Sequence, residues 1–319
     1  SRRVDRQLRG RSGRQGDPGS SIFYVSLEDK LMRLFGSERI AALVDKMGME
    51  EHEALEASML SSSIERAQKK VEENNFGIRK RLLEYDDVMN SQREVIYTKR
   101  RNALSGERVE IDVMNMMQDT AQILADKAEN MDYESFSEYV MSSLSIDLGF
   151  DEEFFAGAKA RDIAEKLHEH ILETYQRRMD TMVQRAFPIV KQIYETQAAI
   201  YTNIAIPVSD GRKVYPVVLN IKKTVESEGR ELIRAISKSI VLFRIDDLWK
   251  EHLRDMDDLK QSVQNATYEQ KDPLLIYKFE SFNLFSQMLE ELNKHVLSFL
   301  LRAFIPLRDA SEAKAPAPQ

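Results

Sequence analysis

The sequence predicts a mainly α protein, and three observations carry that expectation. From Gly229 to Phe304, two long amphipathic stretches are joined by a short polar break, Asn265 to Lys271. A further long periodic stretch starts at Ser61 and reaches about Ala103. The composition agrees: of 319 residues, 31% are charged and 42% hydrophobic, with only 12 Gly and 8 Pro. That mix suits long, solvated helices rather than a sheet with many tight turns.

Charge and cysteine content narrow the function classes. The net charge of −7 supplies no general basic field for nucleic acid. The absence of cysteine excludes disulfides and thiolate metal sites, and is compatible with a reducing compartment. No apolar run approaches the ~20 residues that span a bilayer. The chain begins Ser1-Arg2-Arg3, without an initiator Met or a signal peptide, and is expected to be a piece of a larger protein.

Taken in order, residues 5–19 hold four glycines among charged residues, which suits a tight loop presenting Arg11 and Arg14. Guanidinium groups three residues apart can converge on a phosphate in forked geometry. A flexible basic loop is the alternative reading. Next, Ile22-Phe23-Tyr24-Val25-Ser26-Leu27 reads as a short buried strand whose partners lie outside this chain.

Those residues also carry a resemblance. Gln7-Leu8-Arg9-Gly10-Arg11-Ser12-Gly13-Arg14 resembles motif VI of superfamily-2 helicase-type motors, which closes the second RecA-like domain and supplies arginine fingers to ATP. The continuation Gln15-Gly16-Asp17-Pro18-Gly19 and Phe23-Tyr24-Val25-Ser26-Leu27-Glu28-Asp29 is similar to the SecA family, ATPases that drive preproteins through the bacterial SecY channel. The resemblance implies a short α/β remnant of the second RecA-like domain over residues 1–56. It further implies Arg11 and Arg14 as arginine fingers, with Gln7, Gly10 and Gly13 at the nucleotide.

One or two short helices are expected between Glu38 and about Glu56. In the long helix that follows, Ile64, Val71, Ile78, Leu82, Tyr85, Met89, Ile96 and Ala103 face one way. Ile64, Val71, Ile78 and Tyr85 keep a seven-residue step, as lengthwise helix packing requires. Asn74-Asn75 and Gly77 mark either a bend or a tolerated weak turn. The run from Asn75 to Arg93 resembles the helical scaffold of the SecA family, which assigns 57–106 to that scaffold.

Residues 107–228 take the place of the family's helical wing domain. Helices are expected over Val109–Glu129, Tyr133–Leu144 and Ala160 to about Ala199, with Pro188 breaking or kinking the last. Within the region, Asp210-Gly211 lies between β-branched runs, a hairpin signal for 201–221. Pro207 and Pro216 restrict those strands to edges or bulges. An added contact surface and a loop elaboration are both open readings of it.

Residues 229–306 form the antiparallel pair. Ile233, Ile236, Ile240, Phe243, Leu248, Leu253, Met256, Leu259 and Val263 make the first apolar stripe. Asp272-Pro273 caps the second helix, which carries Leu275, Phe282, Phe285, Met288, Leu289, Leu292, Val296 and Leu300. The pair resembles the family's two-helix finger, with Tyr268 and Lys271 at the tip as contacts to polypeptide and channel. The family's Gly-containing, Arg-bearing run before that tyrosine is replaced by Val263-Gln264-Asn265-Ala266-Thr267. Trp249 is expected to pack between finger and scaffold. Residues 307–319 read as a disordered linker.

Histidines at 168 and 170 point to different helix faces, and His52, His252 and His295 are isolated in sequence, so no metal site is expected. Many family members continue into a cysteine-rich zinc tail; with no cysteine here, no zinc is expected. No Gly-x-x-x-x-Gly-Lys-Ser/Thr loop occurs, so the fragment alone should not hydrolyse ATP. As the resemblance implies, the parent couples hydrolysis of ATP with Mg to preprotein movement through SecYEG. It would work as a peripheral protein at the cytoplasmic face of the bacterial plasma membrane. Its partners are then the channel, unfolded preprotein and the remaining motor domains of the chain; a homodimer is open, and nucleic acid is not expected. The alternatives are a helical coiled-coil interaction module and an accessory region of a nucleic-acid helicase.

Overall fold

The computed structural model describes residues 2–26, 58–106, 108–197, 200–265 and 272–306. It is mainly helical, with one two-stranded antiparallel sheet among the described residues. The chain divides into two compact units, 1–87 and 88–319.

In the first unit, helix α1 (Arg2–Arg9) leads into a turn of 3-10 helix at Arg14–Gly16. The backbone N and guanidinium of Arg2 reach Glu72 at 2.8–3.0 Å, and Asp5 accepts from Gln68. Both partners lie on the early part of the long helix α2 (Ser58–Ser105). Residues 22–26 form no regular secondary structure, and Ile22 and Tyr24 are 76% and 86% exposed. The strand expected here is not formed within this chain, its expected partners lying outside it, and the one sheet among the described residues is made of two later strands.

The long helix has the predicted extent and passes through Asn74-Asn75 and Gly77 without a break. Its predicted stripe is only partly buried. Ile96 and Ala103 lie in the core and Met89 packs against it, whereas Ile78 and Leu82 are exposed, together with Phe76 and Leu83. Of the residues at the seven-residue step, Ile64, Val71 and Tyr85 are half-buried and Ile78 is exposed.

The second unit is built on α3 (Val109–Ala128), α4 (Tyr133–Leu144), α5 (Glu152–Gly157), α6 (Ala160–Gln197), α7 (Ile221–Glu226), α8 (Arg230–Asn265) and α9 (Pro273–Arg302). Asp132, Asp151, Asn220 and Asp272 each accept a backbone N–H at the start of α4, α5, α7 and α9. Each bond satisfies one of the N–H groups that a helix start leaves without an internal partner. Pro188 does not break α6. It cannot donate to the carbonyl of Gln184, but the neighbouring Ala186 and Val190 are buried, and packing carries the helix through.

Helices α3 and α6 lie side by side, and the second half of α9 enters between them and α4. There Val296, Leu297, Phe299 and Leu300 are fully buried. Gly229, at φ +92°, turns the chain from α7 into α8; a Cβ there would stand 2.5 Å from Val183 on α6. Both the left-handed backbone and the close approach require glycine.

The predicted hairpin is present as β1 (Asn203–Ser209) and β2 (Val214–Asn220), paired in continuous register from Asn203–Asn220 to Ser209–Val214. Pro207 and Pro216 sit opposite each other, so both missing donors fall on one pair of a sheet made only of edges. The hairpin is not a free loop. Tyr215 stacks on Phe243 of α8 at 4.8 Å and meets Phe299 of α9 edge-on at 5.4 Å. Ser209 and Phe304 exchange two backbone hydrogen bonds, which ties the segment after α9 to the end of β1.

Candidate functional site

Two arrangements on the chain have the character of a functional site: the arginine loop after α1, and the joint between α2 and the α8–α9 pair. In the loop, Gly10, Arg11 and Ser12 donate backbone N–H groups to the carbonyls of Arg6, Leu8 and Arg9. Gly13 then reverses the chain at φ +63°, where a Cβ would lie 2.9 Å from the Asp17 carbonyl. The Ser12 hydroxyl donates to the Ser20 carbonyl at 3.1 Å, and the Arg9 guanidinium lies over Phe23 at 5.0 Å. These contacts close a loop that leaves Gln7, Gly10, Arg11, Gly13 and Arg14 exposed to solvent. Among the described residues no carboxylate pairs with Arg11 or Arg14. The loop presents two free guanidinium groups, and an anion for them must come from outside these residues. Tyr268 and Lys271 lie outside the described residues.

The joint was not legible in the sequence. Gln92 of α2 is 6% exposed and uses both ends of its amide. Its Nε2 donates to the Ser281 carbonyl on α9 at 3.0 Å, and its Oε1 faces Nε2 of His252 on α8 at 2.9 Å. One side chain thereby links α2 to both helices of the pair. His252 is 2% exposed, with Trp249 and Phe285 rings within 5.6 Å. Burial lowers its pKa from the usual 6.5 or so, outweighing the nearby Asp255 carboxylate. At neutral pH the ring is uncharged, and the bond to Gln92 selects the tautomer with hydrogen on Nε2.

Two turns further along α2, Arg100 forks onto Asp246 of α8 at 2.9 and 3.4 Å. Ile96, between them on the same face, is buried, as are Ile245 and Trp249. Trp249 therefore packs where the sequence placed it. The order 92, 96, 100 on one helix against 252, 249, 246 on the other makes the two antiparallel along this seam. The buried Gln92–His252 pair is costly when half removed, because the partner left behind is buried and unsatisfied.

The other polar clusters offer no metal centre. His170 binds Asp147 at 2.7 Å, and among the described residues no three His, Asp or Glu side chains gather as ligands. No helix is long and apolar enough to cross a membrane, again among the described residues.

The buried histidine gives the joint a pH signature. Its folded pKa is depressed, so the unfolded chain takes up the proton first as pH falls below about 6.5. Its contribution to stability is full above that value and is lost as pH falls towards the folded pKa. Thermal unfolding at pH 7.5 and 5.5 should therefore show a loss of stability that is smaller in His252→Gln; an equal loss in both would remove His252 as its source.

The comparisons with known proteins agree with this layout. A family model described as the SecA wing and scaffold domain matches residues 54–304, and one described as the SecA P-loop domain matches residues 1–52. The protein translocase subunit SecA of Porphyromonas gingivalis is 57% identical over 311 residues, covering 97% of this chain and 28% of that protein. Its counterpart from Parabacteroides distasonis is 57% identical over 309 residues, 97% of this chain and 27% of that protein. That from Phocaeicola vulgatus is 52% identical over 319 residues, 100% of this chain and 29% of that protein. The chain spans less than a third of the length of these relatives. With a wing-and-scaffold match over most of its length and relatives above half identity, this chain belongs to the SecA family.

Proposed function

We propose that the chain is the coupling arm of a SecA-type preprotein translocase, in which ATP hydrolysis elsewhere in the protein drives polypeptide through the SecYEG channel. The observation that carries this reading is the 57% identity to a translocase subunit over 97% of the chain. The nucleic-acid helicase alternative is not favoured by these matches.

In this reading residues 1–56 end the second nucleotide-binding domain, 57–106 are the scaffold helix, 107–228 the wing, and 229–306 the finger that returns to the scaffold. Residues 307–319 form a linker. Gln7, Gly10 and Gly13 would face the nucleotide. Arg11 and Arg14 would act as arginine fingers, stabilising charge on the γ-phosphoryl of ATP with Mg bound by the parent protein. Their exposure and lack of a carboxylate partner support this, since a finger must be free to meet its anion. Tyr268 and Lys271 would meet the polypeptide and the channel, the tyrosine offering apolar area and a hydroxyl in one side chain. The parent would work at the cytoplasmic face of the membrane.

The seam through Gln92, Ile96 and Arg100 supports the mechanical part. It fixes the later half of α2 to both finger helices, so a movement of α2 would be passed to the finger by packed, hydrogen-bonded groups.

In the full-length protein, Arg11→Ala or Arg14→Ala should lower translocation-coupled ATPase by about a thousandfold, the lower range for such fingers. Turnover near that of the unaltered protein would remove their role. Tyr268→Ala should impair transport of a preprotein into vesicles while leaving basal ATPase close to normal. A parallel fall of both activities would instead indicate damage to the fold.

A further inference from the structure

A second cationic site lies well apart from the arginine loop in sequence, within the second unit. Between the β1–β2 turn, α8 and the last turns of α9 there is a cavity of about 360 Å³. Five cations line it: Arg212 and Lys213 from the turn, Arg244 from α8, and Lys294 and Arg302 from α9.

One carboxylate, Asp210, faces them, and it is already engaged. It accepts the backbone N–H groups of Arg212 and Lys213 at 2.9 and 2.7 Å, and Arg302 approaches it at 3.5 Å. Although burial opposes ionisation, the two backbone donors and Arg302 hold its pKa below the ordinary range. It stays ionised and shapes the turn, and among the described residues Arg212, Lys213, Arg244 and Lys294 form no ion pair.

Two groups on the cavity wall lack partners. Ser143, at the end of α4, is 1% exposed, and its hydroxyl has no hydrogen-bond partner. The Nε of Arg244 is likewise buried without an acceptor, while its guanidinium is placed over the Tyr215 ring at 5.9 Å. Folded proteins rarely leave buried donors unused. Here both line one concave space already rich in positive charge, and α4, α8, α9 and the hairpin hold them in place.

We propose that this cavity binds a phosphate-class anion of about the size of pyrophosphate or a phosphomonoester. The match is chemical: a small polyanion offers many acceptor oxygens to forked guanidinium groups, ammonium groups and one hydroxyl. A lone carboxylate would meet only part of that set. Two sources present this chemistry, a free phosphate compound and a phospholipid headgroup.

The test is calorimetric titration of the full 319-residue chain with sodium pyrophosphate at low ionic strength. Saturable one-site binding is expected, weakened about tenfold or more by Lys294→Gln and by Arg244→Gln, as loss of a charge-assisted hydrogen bond implies. Arg11→Ala should leave it unchanged. Should Arg244→Gln lose helical circular dichroism, the surface substitution Lys294→Gln carries the test alone. Absence of saturable binding, or binding indifferent to Lys294→Gln, overturns the proposal. Flotation with phosphatidylcholine vesicles, with and without phosphatidylglycerol, separates the sources. Anionic-lipid binding that Lys294→Gln abolishes and pyrophosphate competes away supports a headgroup, and pyrophosphate binding without it supports a free anion.

Discussion

A single buried amide sets the register of this structure. Gln92 meets His252 on α8 and the Ser281 carbonyl on α9, and it can do so only if both helices stand at one height against α2. In a medium from which water is excluded, each of these groups must find its partner or carry a desolvation cost. Apolar packing at Ile96 and Trp249 would tolerate some sliding; the amide does not. The Arg100–Asp246 pair repeats the same alignment at a half-exposed position, where it adds register more than stability.

From that seam the α8–α9 pair divides into an anchored part and a more exposed part. The last turns of α9 lie among α3, α4 and α6, with Val296, Phe299 and Leu300 sealed from solvent. Nearer its start, Leu275, Phe279 and Phe282 are each about two-thirds exposed. Gradients of this kind suit a lever: a base held by a large core, and an outer stretch whose apolar faces remain available. The β-hairpin belongs to the base, since Tyr215 bridges α8 and α9 through Phe243 and Phe299.

Much of this was legible in the sequence wherever the signal is local. The boundaries of α4 match the expected Tyr133–Leu144, α3 ends one residue early, and Asp272-Pro273 opens α9 as a cap and first-turn proline should. Period and capping are set by neighbours in the chain, so they survive without tertiary information. The short helices α5 and α7 escaped because six residues carry too little period to recognise. The apolar stripe on α2 named Ile78 and Leu82 as facing a partner, yet both are exposed. Periodicity reports a face fit for packing, not whether a partner is there.

The sites divide in the same way. The arginine loop was readable because its glycines and arginines are contiguous, although its role rests on resemblance and not on spacing. Gln92 and His252 are 160 residues apart, and nothing about an isolated histidine and a glutamine in a charged helix announces a bond. The cationic cavity likewise draws on a turn and three helices, its lining running from Ser142 to Arg302.

The claim on which the proposed function turns is that the second half of α2 and the α8–α9 pair move as one body. Spin labels can be placed at cysteines introduced on the exposed positions Glu94 and Glu280, with any cysteine outside this chain first replaced by serine. Distances between them, measured by electron–electron double resonance in the full-length protein with ADP and with an ATP analogue, test it directly. The account predicts the same distance distribution in both states. A shift of about 5 Å, one helical turn, would show that the α8–α9 pair slides along the seam and would contradict it.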